Sequence, residues 1–452
     1  MSISSKLVAT PTREDTMKFL AESSTIGSLG LFIGAGFSKA FVGGANKPLS
    51  WQQLLEKICE EFNLDIEEVV RESNGYPDQA SKICGFISES SKITYGESVV
   101  KFKSTIARIV NWLPQPETRK KIGDYLNEID PSWIITTNYD FVIESMLPDR
   151  GVQLSPRDTF AVPKGQIPIY HLHGHRLKPD SIVITQEDYI AINRPNDYRQ
   201  VSLPMKFKES TVVILGYGIG DQNVLTAMDW AKNVFNETNV LIPSDFVQVK
   251  WSDNPKSEPY RDKNNVLIIE TSDLEHFLNE IGEKIRIQKE ADIKSIEIKG
   301  KLTEALMDPA QGNIVKFVDD KDFRISMIDA YSRAKLISTT LMIQFLAKCF
   351  EITSLRSQPN GAFEGYNQKL SILIDFISHL RLDQIHPLLF EYLADKFDDV
   401  AYYVGRDKGQ SWAADTTWSA RSKEISHESI VELTNYAKVH EKYSLEKLLL
   451  KK

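Results

Sequence analysis

Cysteine is scarce: the 452 residues contain 3, Cys59, Cys84 and Cys349, far apart and with no Cys-X-X-Cys pair. Their spacing excludes a disulfide framework, speaks against structural zinc and fits a reducing compartment. An excess of positive charge is also missing. The formal net charge is −8, which argues against a dedicated nucleic-acid surface. Nowhere is there an uninterrupted apolar run of about 18 residues, so no segment is expected to span a membrane. Residues 1–17 lack the apolar core of a secretion signal. These absences give the expectation of a cytoplasmic protein with no membrane contact and no direct nucleic-acid binding. The composition, 42% hydrophobic and 26% charged, is that of a globular chain, long enough for two or three domains.

Residues 29–38, Leu-Gly-Leu-Phe-Ile-Gly-Ala-Gly-Phe-Ser, organise the rest. A short apolar run of strand length breaks at Gly34-Ala35-Gly36, and helical spacing follows after Pro48 and Trp51. Strand, glycine turn and helix entry form a geometry in which backbone N–H groups can cradle a diphosphate. A Cβ at Gly34 or Gly36 would hold the backbone away from phosphate oxygens, and Ser38 offers a hydroxyl. The dinucleotide pattern Gly-X-Gly-X-X-Gly is incomplete, because position 39 is Lys, and the Walker pattern is absent. A structural turn is the competing reading.

Further apolar runs at 133–137, 167–172, 182–185, 211–215, 246–249 and 266–269 read as strands between helical stretches. The alternation predicts an α/β fold with a doubly wound, parallel, Rossmann-like sheet over residues 1–290, carrying a helical insertion at about 52–129. Such an insertion suits a lid or a cleft wall. In these sheets ligands bind at the carboxyl ends of the strands. Beyond residue 290 the spacing is helical and no catalytic spacing stands out. Residues 291–452 are expected to form an all-α domain for assembly or partner binding, with 405–424 a polar, mobile segment.

Three more constellations fall at strand ends. Thr137-Asn138-Tyr139-Asp140 supplies an amide that can hold a water or a ribose hydroxyl; Asp140 either orients it or caps the next helix. His171-Leu172-His173-Gly174-His175 invites a metal reading by alternation, but no acidic or Cys ligand completes a set. A single strand-end histidine, His173, better suits a general base, with His171 and His175 as hydrogen-bonded packing residues. Gly216-Tyr217-Gly218-Ile219-Gly220-Asp221 is a second glycine turn fit for nucleotide backbone. There Asp221 or Asn223 meets a ribose hydroxyl, or Asp221 caps the following helix.

Taken in order, Gly-Ala-Gly-Phe-Ser, Thr-Asn-Tyr-Asp, Leu-His-Gly and Gly-Tyr-Gly-Ile-Gly-Asp resemble the sirtuin-like domains of bacterial anti-phage defence proteins over residues 15–285. Pro48 and Trp51 look like the Pro-X-X-Trp of that branch. Deacylating sirtuins carry a four-cysteine zinc module after His-Gly, whereas this chain has no cysteine between Cys84 and Cys349. The resemblance therefore implies a zinc-free NAD+ glycohydrolase that releases nicotinamide and ADP-ribose and acts as the toxic effector in abortive infection. By the same resemblance Asn138 and His173 carry the chemistry. NAD+ is held by Gly34, Ala35, Gly36, Ser38, Asp140, Gly216, Tyr217, Gly218 and Asp221. A homo-oligomer is expected, with a co-encoded partner such as a DNA-translocase-type ATPase. The rival readings are a catalytically silent nucleotide-sensing scaffold and a nuclease or effector subunit working with an ATPase or Argonaute-type partner.

Overall fold

The computed structural model describes residues 11–44, 47–71, 73–192, 198–218, 222–233, 245–307, 309–333, 339–358, 363–380 and 385–450. The chain divides into two compact units at residue 290. In the first, α1 (Arg13–Thr25) leads into the central strand β1 (Leu29–Ile33) and α2 (Ala35–Phe41). The insertion that follows is α3 (Trp51–Phe62), α4 (Ile66–Val70), α5 (Tyr76–Ser91), α6 (Tyr95–Ile109) and α7 (Pro116–Ile129). Two of its helices begin on reciprocal capping boxes: Ser50 with Gln53 before α3 and Thr94 with Glu97 before α6.

Then come β2 (Trp133–Thr136), α8 (Val142–Met146), β3 (Gly151–Leu154), β4 (Ile167–His171), α9 (Gln186–Ile192), α10 (Tyr198–Lys208) and β5 (Thr211–Leu215). The unit finishes with α11 (Gln222–Asn233), β6 (Phe246–Trp251), β7 (Tyr260–Arg261), β8 (Leu267–Thr271) and the start of α12 (Leu274–Met307). The eight strands lie in the order β3-β4-β2-β1-β5-β6-β8-β7, and only the β7–β8 pair is antiparallel. The chain leaves β1 toward β2 and leaves β5 toward β6, in opposite directions. The carboxyl ends of β1 and β5 therefore flank the switch point where α/β sheets bind ligands.

Alternation along the strands divides the core between the two faces. Leu31 and Ile33, Ile134, Ile169, Val213 and Leu215 pack with α1, α12 and the insertion. Phe32, Trp133, Ile135, Tyr170, Val212 and Ile214 pack with α10 and α11. Gly30 has no side chain because the Trp133 ring occupies the place its Cβ would take, and Trp133 Nε1 donates to Ser210 Oγ at 3.0 Å.

Two expectations about elements are corrected. Residues 182–185 are not a strand: Val183 N–H donates to His173 O, while Ile184 and Thr185 N–H donate to the Asp188 carboxylate. The segment is apolar because it is buried, not because it is paired. Residues 405–424 include a helix capped by Ser411, Trp412–Arg421.

The second unit is all helical: α13 (Gln311–Asp319), α14 (Lys321–Arg333), α15 (Thr339–Arg356), α16 (Glu364–His379), α17 (Pro387–Ala401), α18 (Trp412–Arg421), α19 (His427–Val439) and α20 (Tyr443–Leu449). They enclose one apolar core. Beside it the fully buried Asp375 accepts from Arg324 at 2.6 Å and Arg421 at 2.5 Å.

Candidate active site

Register brings the four strand-end motifs together. Leu215, Ile33, Thr136 and His171 are partners in one row across β5, β1, β2 and β4. Two residues beyond each stand Tyr217, Ala35, Asn138 and His173. Neighbouring strands lie about 4.8 Å apart, so four strand ends fall within about 15 Å, with two strand spacings, about 10 Å, between the β1 and β4 ends.

The glycine turns press on each other. Gly34 N–H donates to Leu215 O at 3.0 Å and Gly36 N–H to Gly216 O at 2.7 Å. A Cβ on Gly34 or Gly36 would lie 2.7 Å from Gly216 O, and Gly216 itself has φ +59° against Phe37 N. The sequence reading assigned these glycines to phosphate approach. What their missing side chains admit here is the other loop, and both N–H groups are already bonded to protein carbonyls. Ala35 and Gly218 are the exposed turn residues, and a Cβ on Gly218 would meet open space. Tyr217 packs its ring edge against Phe32 at 4.8 Å, and its carbonyl accepts from Gln248. Asp221 lies outside the described residues.

Asn138 is 7% exposed and held on almost every polar group. Its N–H donates to Thr136 Oγ1 (3.0 Å), its Nδ2 to Gly34 O and Ser38 Oγ (both 3.2 Å), and its C=O meets His171 Nδ1 (2.8 Å). The Gly34 carbonyl can only accept, which fixes the amide orientation. A water or hydroxyl at this site is left to Oδ1. Ser38 Oγ is fully buried and gives its one proton to Asp140, 3.0 Å from Oδ2. Its hydroxyl therefore supports Asn138 rather than facing a ligand. Asp140, 3% exposed, also accepts at 3.0 Å the N–H of Val142, the first residue of α8. Burial pushes its carboxyl up to about 6, against the hydrogen bonds from Val142 and Ser38, which favour the ionised form.

The three histidines have separate environments. β4 ends at His171, and Gly174, at φ +77°, turns the chain beneath Ser181. His171 is fully buried, its Nε2 2.6 Å from Glu144 Oε1. Burial alone would depress its pKa, but the Glu144 carboxylate and the Asn138 carbonyl outweigh burial and raise it. His175 Nε2 meets Ser155 Oγ at 2.9 Å, and burial, reinforced by His171, lowers its pKa to about 4. His173, 4% exposed, lies edge-on to Tyr189 of α9 with ring centroids 5.6 Å apart.

The insertion fastens that helix. Asp188 of α9 pairs with Lys103 of α6 at 2.7 Å, and Glu187 accepts from Ser81 of α5 and Tyr95 of α6. The wall beside His173 is thus attached to residues 80 or more positions earlier. Sequence reading missed Glu144, Lys103, Asp188 and Tyr189. The one available signal was Glu144 itself, an acidic residue set among Val142, Ile143 and Met146 on a buried helix. Among the described residues no group of three or more His, Cys, Asp or Glu is placed to hold a metal.

Residues 132–269 match the SIR2-like domain family, a span that holds three of the four motifs. Over 229 residues, 49% of this chain, the sequence is 26% identical to Defense-associated sirtuin 2 of Bacillus subtilis; the match spans 21% of that protein's length. A SIR2-like domain implies use of NAD+. With four neighbouring strand ends carrying the motifs at one edge of a parallel sheet, the first unit of this chain contains a SIR2-like domain similar to that of a defence-associated sirtuin.

Proposed function

We propose that this chain is an NAD+ glycohydrolase that converts NAD+ and water to nicotinamide, ADP-ribose and a proton, and that it serves as the toxic effector of an anti-phage defence system. The carrying observation is the alignment of Asn138 and His173 on adjacent strands beside the two glycine turns. The nicotinamide–ribose bond has a good leaving group, since departure neutralises the pyridinium charge. The protein must hold the ribose, stabilise an oxocarbenium-like state and deliver water. Asn138 Oδ1 accepts from that water or from a ribose hydroxyl, and its fixed amide makes the acceptor preorganised. His173 takes the proton from the water or the ribose hydroxyl. The turns at Ala35 and at Gly216-Tyr217-Gly218 flank the switch point and suit the diphosphate.

His173→Ala and Asn138→Ala are each expected to abolish nicotinamide release while leaving the thermal melt within a few degrees of wild type. Full activity in either variant refutes the assignment. A wild-type protein that binds NAD+ without consuming it would favour the silent-scaffold reading.

A further inference from the structure

Glu144 and His171 form a buried pair against the backbone of Asn138. His171 joins two acceptors: its Nδ1 is 2.8 Å from the Asn138 carbonyl and its Nε2 is 2.6 Å from Glu144 Oε1. A carbonyl oxygen can only accept, so Nδ1 must carry a proton; an ionised carboxylate likewise requires one on Nε2. With Glu144 ionised, both bonds are satisfied together only by the imidazolium. The ring is fully buried, and Glu144 Oε2 is buried without a hydrogen bond among the described residues. The pair is therefore tightly coupled in a low-dielectric site.

We propose that Glu144 is a positioning residue for Asn138, acting through His171: the carboxylate holds the imidazolium with Nδ1–H aimed at the Asn138 carbonyl, and this fixes where Asn138 Oδ1 points. The proposal rests on the hydrolase reading for its kinetic consequence and on geometry alone for its protonation claim. The charged and titratable groups facing His171 are Glu144 from α8, Asp140 from the loop after β2 and His175 from the loop after β4. The two carboxylates favour the imidazolium, and His175, held neutral by burial, does not oppose it. When His171 loses its proton, only one of its two bonds can survive. The tautomer that keeps Glu144 turns a lone pair toward the Asn138 carbonyl. Activity therefore falls on the alkaline side as His171 deprotonates, above the ordinary histidine value of about 6.5.

The test uses the full chain with Glu144→Ala and Glu144→Gln. In Glu144→Ala, kcat is expected to fall about 10-fold, as for other residues that orient a reacting group through a second side chain, while KM moves much less. Glutamine can donate to Nε2 of the neutral Nδ1–H tautomer, so Glu144→Gln recovers most of kcat and flattens the alkaline limb. Thermal melts of each variant separate these effects from simple unfolding. Nitrogen-15 NMR of histidine-labelled protein is expected to show His171 protonated on both nitrogens at neutral pH in wild type and on Nδ1 alone in Glu144→Gln. Wild-type kcat and pH profile in Glu144→Ala, or the same His171 spectrum in wild type and Glu144→Gln, overturns the proposal. If wild type consumes no NAD+, the hydrolase reading fails by itself and the NMR arm still decides the relay.

Discussion

Asn138 and Asp140 stand two residues apart at one strand end and are held by opposite means. Asn138 has every polar group but Oδ1 matched, whereas Asp140 is a buried carboxyl with two donors among the described residues, Ser38 and Val142. Its value of about 6 lies above the usual carboxylate value of about 3.9. Between those values the folded chain holds a proton that the unfolded chain has lost. Folding is therefore penalised progressively as pH rises through that window, by on the order of 3 kcal/mol once both forms are ionised. Asp140→Asn removes the charge and should gain stability relative to wild type as pH is raised from 4 to 7. Thermal melts across that range check this; a difference that stays flat or shrinks with rising pH contradicts it. The same variant should lose activity, because Ser38 would no longer have a carboxylate to fix its proton and hence the Asn138 amide.

The helix α9 transmits the insertion to the site, since it carries Tyr189 against His173 and Asp188 against Lys103. The Lys103 side chain is 7% exposed, so Lys103→Met leaves Asp188 facing a methyl group in a poorly solvated place. Breaking a fully buried pair by removing one partner costs about 3–5 kcal/mol; stranding Asp188, 21% exposed and still bonded by Ile184 and Thr185 N–H, should cost less. The melting temperature should drop, and nicotinamide release should drop with it even at temperatures where the protein stays folded. Unchanged kcat in folded Lys103→Met would separate the insertion from catalysis. Such ties are what the sequence conceals. Strand ends were legible because buried strands there are continuous apolar runs broken by glycine, Asn or His, and Asn138 and His173 announce themselves by residue type at those breaks. Glu144 to His171 and Lys103 to Asp188 join residues far apart in sequence, with no local pattern. β3 was missed because this edge strand begins with glycine and exposes Gln153. α18 was missed because only Ala414 and Trp418 of its residues are buried, a stripe too thin to read. Residues 182–185 misled for the converse reason: Ile182, Val183 and Ile184 are all buried, yet their N–H groups bond to turns and to a side chain.

At the scale of the whole molecule, the second unit has its own core and a buried Asp375 bridging two arginines, but among its described residues none of the strand-end chemistry. Its proposed role is assembly or partner binding. A chain that destroys NAD+ continuously would kill its own cell, so we propose that oligomer formation gates access to the site. Specific activity should then rise with protein concentration in step with the oligomer fraction from size-exclusion chromatography with light scattering. A monomer already fully active contradicts the gating. Cleavage of a pyridine dinucleotide beside His173 is checked by incubating the purified full chain, over a range of protein concentrations, with NAD+ and measuring nicotinamide and ADP-ribose together. Equimolar release of both is expected from wild type and none from His173→Ala. Undiminished NAD+ with wild type, or equal release from both proteins, would contradict it.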